Sequence, residues 1–245
     1  SLEIDVDQGG RISSLRFRDI ECVLPFRGQV LTWGWYPMAP WAGRIKDGLI
    51  KNSSGEEFQL PTNLASPHAI HGFAPTSSWQ EIGNGYFALD LPEPYLGARV
   101  EQRFELLDNA LRWSLEYEAG GSDLPFWMGL HPWFPREFDR GGAAEINFHP
   151  GKMFERGSDY MPTGKLINPT PPPWDDAFTQ VRGVPTVSWE DVLQIKIESD
   201  APYWVVYDQD PEGVCIEPQS APPDAANLGI SSDTYLEALF VFEEI

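Results

Sequence analysis

The chain has 245 residues, with 17 Lys and Arg against 37 Asp and Glu and a formal net charge of −20. That balance opposes nucleic acid and anionic membrane, both of which require clustered cations, and it disfavours a polyanionic substrate unless a local arginine pocket overrides the field. The two cysteines, Cys22 and Cys215, match no zinc or redox spacing and are too few for a disulfide scaffold, so both are expected as buried thiols in a reducing compartment.

Taken in chain order, the start Ser1-Leu2-Glu3 carries no signal-peptide pattern, and no apolar run approaches the length of a membrane span. A cytoplasmic protein, monomer or homodimer, is the expectation. Arg44 lies in Pro40-Trp41-Ala42-Gly43-Arg44-Ile45, where proline and glycine favour a fixed guanidinium able to fork onto oxygens. His68-Ala69-Ile70-His71-Gly72-Phe73 follows. No compact third ligand accompanies its two histidines, so no metal is expected there. His71 before glycine reads as a polar group admitted close to backbone.

Leu111 to Glu118 alternates apolar and polar residues, the pattern of a half-buried strand; Val100 to Leu107 precedes it, and Asp108-Asn109 between them reads as a hairpin turn. Trp127-Met128-Gly129-Leu130-His131-Pro132-Trp133-Phe134 presents one histidine on an extended segment, because proline keeps its predecessor extended. Its aromatic neighbours suit the wall of a small-ligand pocket. Pro169 to Pro173 reads as a rigid loop that sets down Trp174-Asp175-Asp176-Ala177-Phe178. The adjacent aspartates point opposite ways in an extended chain, so one at most is expected to face a site. Leu193 to Ile197 alternates again, while Tyr203 to Tyr207 and Leu239 to Phe242 are denser apolar runs, expected to be buried on both faces.

Gly213-Val214-Cys215-Ile216-Glu217-Pro218 places a carboxylate at the end of a short apolar strand, and the proline-rich stretch beyond it cannot continue a ladder. Glu217 and His131 together make an acid/base pair. No segment carries a long helical period, and the 23 prolines and 22 glycines fall between strand candidates. The expected fold is all-β, a large antiparallel β-sandwich formed as one domain over 1–245.

In order and spacing these segments resemble the aldose 1-epimerase (galactose mutarotase) family. The resemblance runs through Pro40 to Ile45 with Gly48, His71-Gly72-Phe73, Gly129 to Phe134, Asp175-Asp176-Ala177-Phe178 and Val214 to Asn227. It implies a β-sandwich that uses no metal or organic cofactor and acts on a small-molecule sugar. It also implies Glu217 as general base, His131 as general acid, and His71, Arg44 and Asp175 as residues that hold the sugar. Asp175 is chosen over Asp176 because the family pattern places phenylalanine three residues after its aspartate, as Phe178 is here. Gly43 departs from the asparagine that many members carry before the arginine.

The reaction so implied interconverts α and β anomers. Glu217 takes the anomeric hydroxyl proton, His131 donates to the ring oxygen, and the aldehyde rotates and recloses. This chemistry expects an ionised Glu217 beside a charged His131, their attraction raising the histidine pKa. Two other readings share the scaffold: a phosphorylated-hexose epimerase that draws on Arg99, Arg103, Arg136 or Arg140, and a non-catalytic carbohydrate-binding module. Trp133 and Trp174 are the candidates for stacking on the sugar ring.

Overall fold

Alternation decides which face of each strand is buried. In Ala110–Glu118, Leu111, Trp113, Leu115 and Tyr117 are buried, while Glu116 and Glu118 face solvent. Leu193–Glu198 buries Leu193, Ile195 and Ile197 in the same way. Residues 1–245 are described by a computed structural model, in which these strands join two large antiparallel sheets. The eight-stranded sheet runs Glu145–His149, Arg182–Trp189, Leu193–Glu198, Tyr235–Glu243, Ala110–Glu118, Arg99–Leu106, Tyr86–Asp90, Gln80–Gly83. The ten-stranded sheet runs Leu2–Asp5, Arg11–Phe17, Trp35–Met38, Gly129–Pro135, Gly213–Gln219, Tyr203–Tyr207, Asp175–Thr179, Lys152–Arg156, Pro162–Ile167, with Ile20–Glu21 paired to Arg11–Phe17.

The sheets meet through large aromatic side chains. Trp35 of one lies 4.7 Å from Phe240 of the other, and Phe134 packs near Trp189. Both cysteines are buried and free. Tyr203–Tyr207 and Tyr235–Glu243 depart from expectation. Tyr203–Tyr207 alternates between buried and half-buried residues, as does Tyr235–Glu243 after its exposed first residue, because one face meets the other sheet and the opposite face is covered only by loops or solvent. No helix is long and apolar enough to cross a membrane.

The parity that sends Trp35 and Phe134 into the sandwich sends Tyr36, His131, Trp133 and Glu217 to the opposite face of the ten-stranded sheet. Loops close over that face. A short ladder pairs Arg44–Ile45 with Ala69–Ile70, and its ends bring Arg44 and His71 above the sheet.

Candidate active site

One row of side chains crosses the middle of the ten-stranded sheet. Tyr36 is paired with His131, Glu217 with Val205, and Val205 with Ala177. The register that sets Gly129 opposite Gln219 and Trp133 opposite Cys215 brings His131 beside Glu217. All five residues of the row line a single cavity, together with Arg44, His71 and Asp175. The five residues singled out from sequence are therefore neighbours in space, although 173 positions separate Arg44 from Glu217 along the chain. In each of the three central strands the cavity-facing residue is followed by proline: Tyr36-Pro37, His131-Pro132 and Glu217-Pro218. Proline has no N–H to donate. The pairing of Gly129–Pro135 with Gly213–Gln219 is accordingly interrupted between Gly129 and Trp133.

His131 Nε2 lies 3.2 Å from Glu217 Oε1. Both side chains are almost wholly buried, His131 5% and Glu217 2% exposed. Burial disfavours both charged forms. It pushes the Glu217 carboxyl well above its usual range and the His131 imidazole well below its own. These directions oppose the expected ion pair and favour a neutral acid beside a neutral imidazole. The proton count is the same as in the ion pair, and one transfer across 3.2 Å interconverts them. Two groups pull toward the carboxylate. Gln219 Nε2 donates to Glu217 Oε2 at 3.1 Å, and the Arg44 charge lowers the carboxyl pKa. Gln219, two residues along the same strand face, was missed in the sequence; its spacing from Glu217 was the available signal.

His71 is held by backbone. Its N–H donates to the Gly43 carbonyl at 3.0 Å, and the Gly43 N–H donates to His71 Nδ1 at 3.2 Å. Nδ1 is thus an acceptor, and Nε2–H is left as the donor. Burial keeps this ring neutral by lowering its pKa well below the usual value. The backbone of His71 is left-handed at φ 58°, followed by Gly72 at 74°. Gly43 is also left-handed (φ 70°), and a Cβ there would meet Pro223 at 2.6 Å, which accounts for glycine in place of asparagine. Arg44 opens onto the cavity with no ion-pair partner in the chain. Replacing it with methionine is expected to raise the KM for a ligand of this cavity about tenfold or more while kcat falls less, since a charge-assisted hydrogen bond is worth roughly 1.5–3 kcal/mol. Steady-state kinetics reads this directly, and an unchanged KM would remove Arg44 from the ligand contacts.

Asp175 and Asp176 both line the cavity, which corrects the expectation that one at most would. Arg156, on the adjacent strand, gathers them. Its Nη1 lies 2.8 Å from Asp175 Oδ2 and its Nε 3.6 Å from Asp176 Oδ1. Asp175 begins its strand, so strict alternation does not yet govern it. Nothing in the sequence marked Arg156. Trp174 is corrected too. It is buried against Phe148 and Phe178 and does not line the cavity, whereas Trp133 does.

Metal-ligating atoms of His131, Cys215 and Glu217 lie within 4.8 Å of one another. Burial pushes the Cys215 thiol well above its usual pKa, so the group is a protonated thiol and a poor ligand. His68 serves structure. Its Nδ1 accepts from the Asp47 N–H at 3.0 Å, and its Nε2 contacts the Asp159 carbonyl at 3.1 Å.

A family model described as aldose 1-epimerase matches residues 5–186, well over half of the chain. YphB of Escherichia coli K12, an uncharacterized protein, is 32% identical over 145 residues, which cover 55% of this chain and 49% of YphB. The matched stretch thus spans about half the length of that relative. Among solved structures, a candidate aldose 1-epimerase of Escherichia coli K12 superposes with a TM-score of 0.82 at 23% identity, covering 100% of this chain and 97% of the other. The GalM/aldose epimerase homologue of C. elegans gives 0.81 at 15% identity, covering 98% and 94%. At these identities the superpositions speak for the fold, a galactose mutarotase-like β-sandwich.

Proposed function

The chain belongs to the aldose 1-epimerase family, and we propose that it interconverts the α and β anomers of a free aldohexose by acid/base opening and reclosure of the ring. Glu217 is the base and His131 the acid. His71, Arg44 and Asp175 hold the sugar. The observation that carries this reading is the His131–Glu217 contact at 3.2 Å, buried at the floor of one cavity. Ring opening moves one proton off the anomeric hydroxyl and one onto the ring oxygen, and a pair that shares a single mobile proton can do both. Transfer of that proton from Glu217 to His131 produces the carboxylate that takes the hydroxyl proton. The imidazolium then donates to the ring oxygen. Rotation about the first carbon–carbon bond and reversal of both transfers give the other anomer and regenerate the pair. A free sugar needs no covalent intermediate for this.

The distribution of charge argues against a phosphorylated sugar. Of the four arginines considered from sequence, Arg99 is paired with Asp90 and Glu101 on the other sheet, which also carries Arg103. Arg136 donates to the carbonyls of Asp208, Asp210 and Gly213. None of the four, Arg140 included, lines the cavity, which instead carries Asp175, Asp176, Asp210 and Glu217 against Arg44 and Arg156. Polarimetry or proton NMR on freshly dissolved α-glucose, α-galactose and glucose 6-phosphate tests the proposal, with Glu217→Gln as control. The expected result is Glu217-dependent exchange of a free sugar, with the phosphorylated one at least about tenfold slower in kcat/KM, as roughly 1.4 kcal/mol of repulsion would give. Exchange confined to glucose 6-phosphate would reverse the assignment. Sugar binding without exchange would make the protein a binding module.

A further inference from the structure

Arg11 is wholly buried and lies behind the row that carries the acid/base pair. Its guanidinium donates to four backbone carbonyls. Nε reaches Gln8 at 2.5 Å, Nη1 reaches Val30 at 2.8 Å and Trp33 at 2.9 Å, and Nη2 reaches Pro75 at 2.9 Å. No carboxylate pairs with it, in a chain with 37 of them. Burial lowers its pKa to about 10, so it remains a cation at neutral pH. The cost of burying a charge without a counter-ion is high, and the four carbonyls offset it by holding the guanidinium in one place.

That place is next to the catalytic row. The Arg11 guanidinium lies 4.4 Å from the Trp33 ring and 5.1 Å from the Tyr36 ring. Tyr36 in turn stacks on His131, with centroids 4.4 Å apart and planes at 25°. The loop between the Val30 and Trp33 carbonyls supplies Leu31 and Thr32 to the cavity wall. Its Leu31 carbonyl accepts from both Tyr36 Oη and Trp133 Nε1. The groups that face His131 are Glu217 and Cys215 from Gly213–Gln219, His71 from the segment after Ala69–Ile70, and Tyr36 from Trp35–Met38. Arg44 and Asp175 stand at the same cavity.

We propose that Arg11 is a positioning residue for the acid/base pair. It clamps Tyr36 and the Val30–Trp33 loop against His131, and its buried charge discourages the imidazole from keeping a proton, so that the proton passes on to the sugar ring oxygen. The geometry is independent of the reaction; the proton delivery rests on the anomerase reading. The electrostatic sense agrees with the lowering of the His131 pKa, to which Arg11 contributes after burial itself.

Two variants separate charge from scaffolding. Arg11→Gln removes the charge, and Arg11→Lys keeps it with fewer hydrogen bonds. Removing a cation raises the pKa of every group it faces. The limb of the kcat–pH profile that reports His131 is therefore expected to move up in Arg11→Gln by roughly 0.5–1 pH unit, as a buried charge at this range produces. At neutral pH kcat should fall about tenfold with KM within about twofold. Arg11→Lys should leave the limbs in place. A parallel NMR titration of the imidazole signals, with His131 assigned by His131→Asn, reads the same shift without any sugar.

Lower thermal stability in both variants with unmoved pH limbs and an unmoved His131 titration would overturn the proposal and make Arg11 a structural clamp alone. If Arg11→Gln does not fold, the native protein and Arg11→Lys decide. A His131 that titrates in the ordinary histidine range in the native protein, or limbs that move in Arg11→Lys, would overturn it. A native protein that exchanges no sugar yet shows the His131 shift in Arg11→Gln would sink the anomerase reading and uphold the influence of Arg11 on His131.

Discussion

Glu217→Gln is expected to lower kcat for anomer exchange by about 10²–10⁴-fold, the range typical of a lost general base, while leaving the fold and sugar binding intact. The amide is close in size and shape to the carboxyl it replaces, so the loss is one of proton affinity. Stability should move the other way. Burial raises the Glu217 pKa in the folded protein, whereas the unfolded chain ionises near the usual carboxylate value of about 4.3. Above that value the unfolded state gains from releasing a proton that the folded state retains. The folded-state contribution of this group is therefore full at low pH and declines as pH rises from the unfolded value toward the raised one. Glutamine does not titrate and removes that decline. Thermal melts at pH 7 should show a Tm equal to or above that of the native protein, and the advantage should vanish near pH 4. Activity near the native level would displace Glu217 from its role, and a lower Tm at pH 7 alone would show that the carboxylate is favourably held.

Gly72→Ala is expected to be strongly destabilising. An added Cβ would lie 1.9 Å from the Ala39 carbonyl oxygen and 2.3 Å from its carbon. That carbonyl cannot retreat, because the N–H groups of Phe73 and Ala74 both donate to it, at 2.9 and 3.0 Å. The left-handed φ of 74° adds the usual penalty for a side chain in that region, about 1–2 kcal/mol. A total loss above about 3 kcal/mol follows, at the upper end for point substitutions, and would lower Tm by roughly 6–12 °C for a chain of this size. Displacement of His71, one residue away, should also reduce the activity of the fraction that folds. Gly28→Ala is the control. Gly28 is equally left-handed at φ 89°, with open space around its Cβ position, so it bears only the conformational penalty. Equal Tm losses in the two variants would show that backbone conformation, and not collision with Ala39, sets the requirement at Gly72.

Sequence reading reached residues that line the cavity because local patterns mark most of them. A strand has period two, so alternation in Leu111 to Glu118 and Leu193 to Ile197 revealed the β architecture without tertiary information. Proline after His131 and Glu217, and glycine after His71, mark positions where backbone geometry is constrained whatever surrounds it. Asp175 was found only because Phe178 gave a register for a resemblance. Gln219 lay within reach of the same period-two argument applied to Glu217.

The residues that escaped are those whose role depends on what another strand brings. Arg156 gathers Asp175 and Asp176 only once Lys152–Arg156 lies beside Asp175–Thr179. Arg11 stands behind Tyr36 only once Arg11–Phe17 and Trp35–Met38 are neighbours. Trp133 and Trp174, alike in a sequence, were separated into cavity wall and core by strand parity and by the aromatic cluster at Phe148.

Periodicity, which acts over a few residues, determined from the sequence alone that this chain forms an antiparallel β-sandwich; constrained backbone marked Glu217, His131, His71 and Arg44, and a family resemblance added Asp175. Register and burial, which arise only when distant strands meet, decided the contact and the desolvation of His131 and Glu217, the second aspartate at the cavity and the cation behind Tyr36. Desolvation depends on every neighbour at once, and no local pattern in a sequence encodes it.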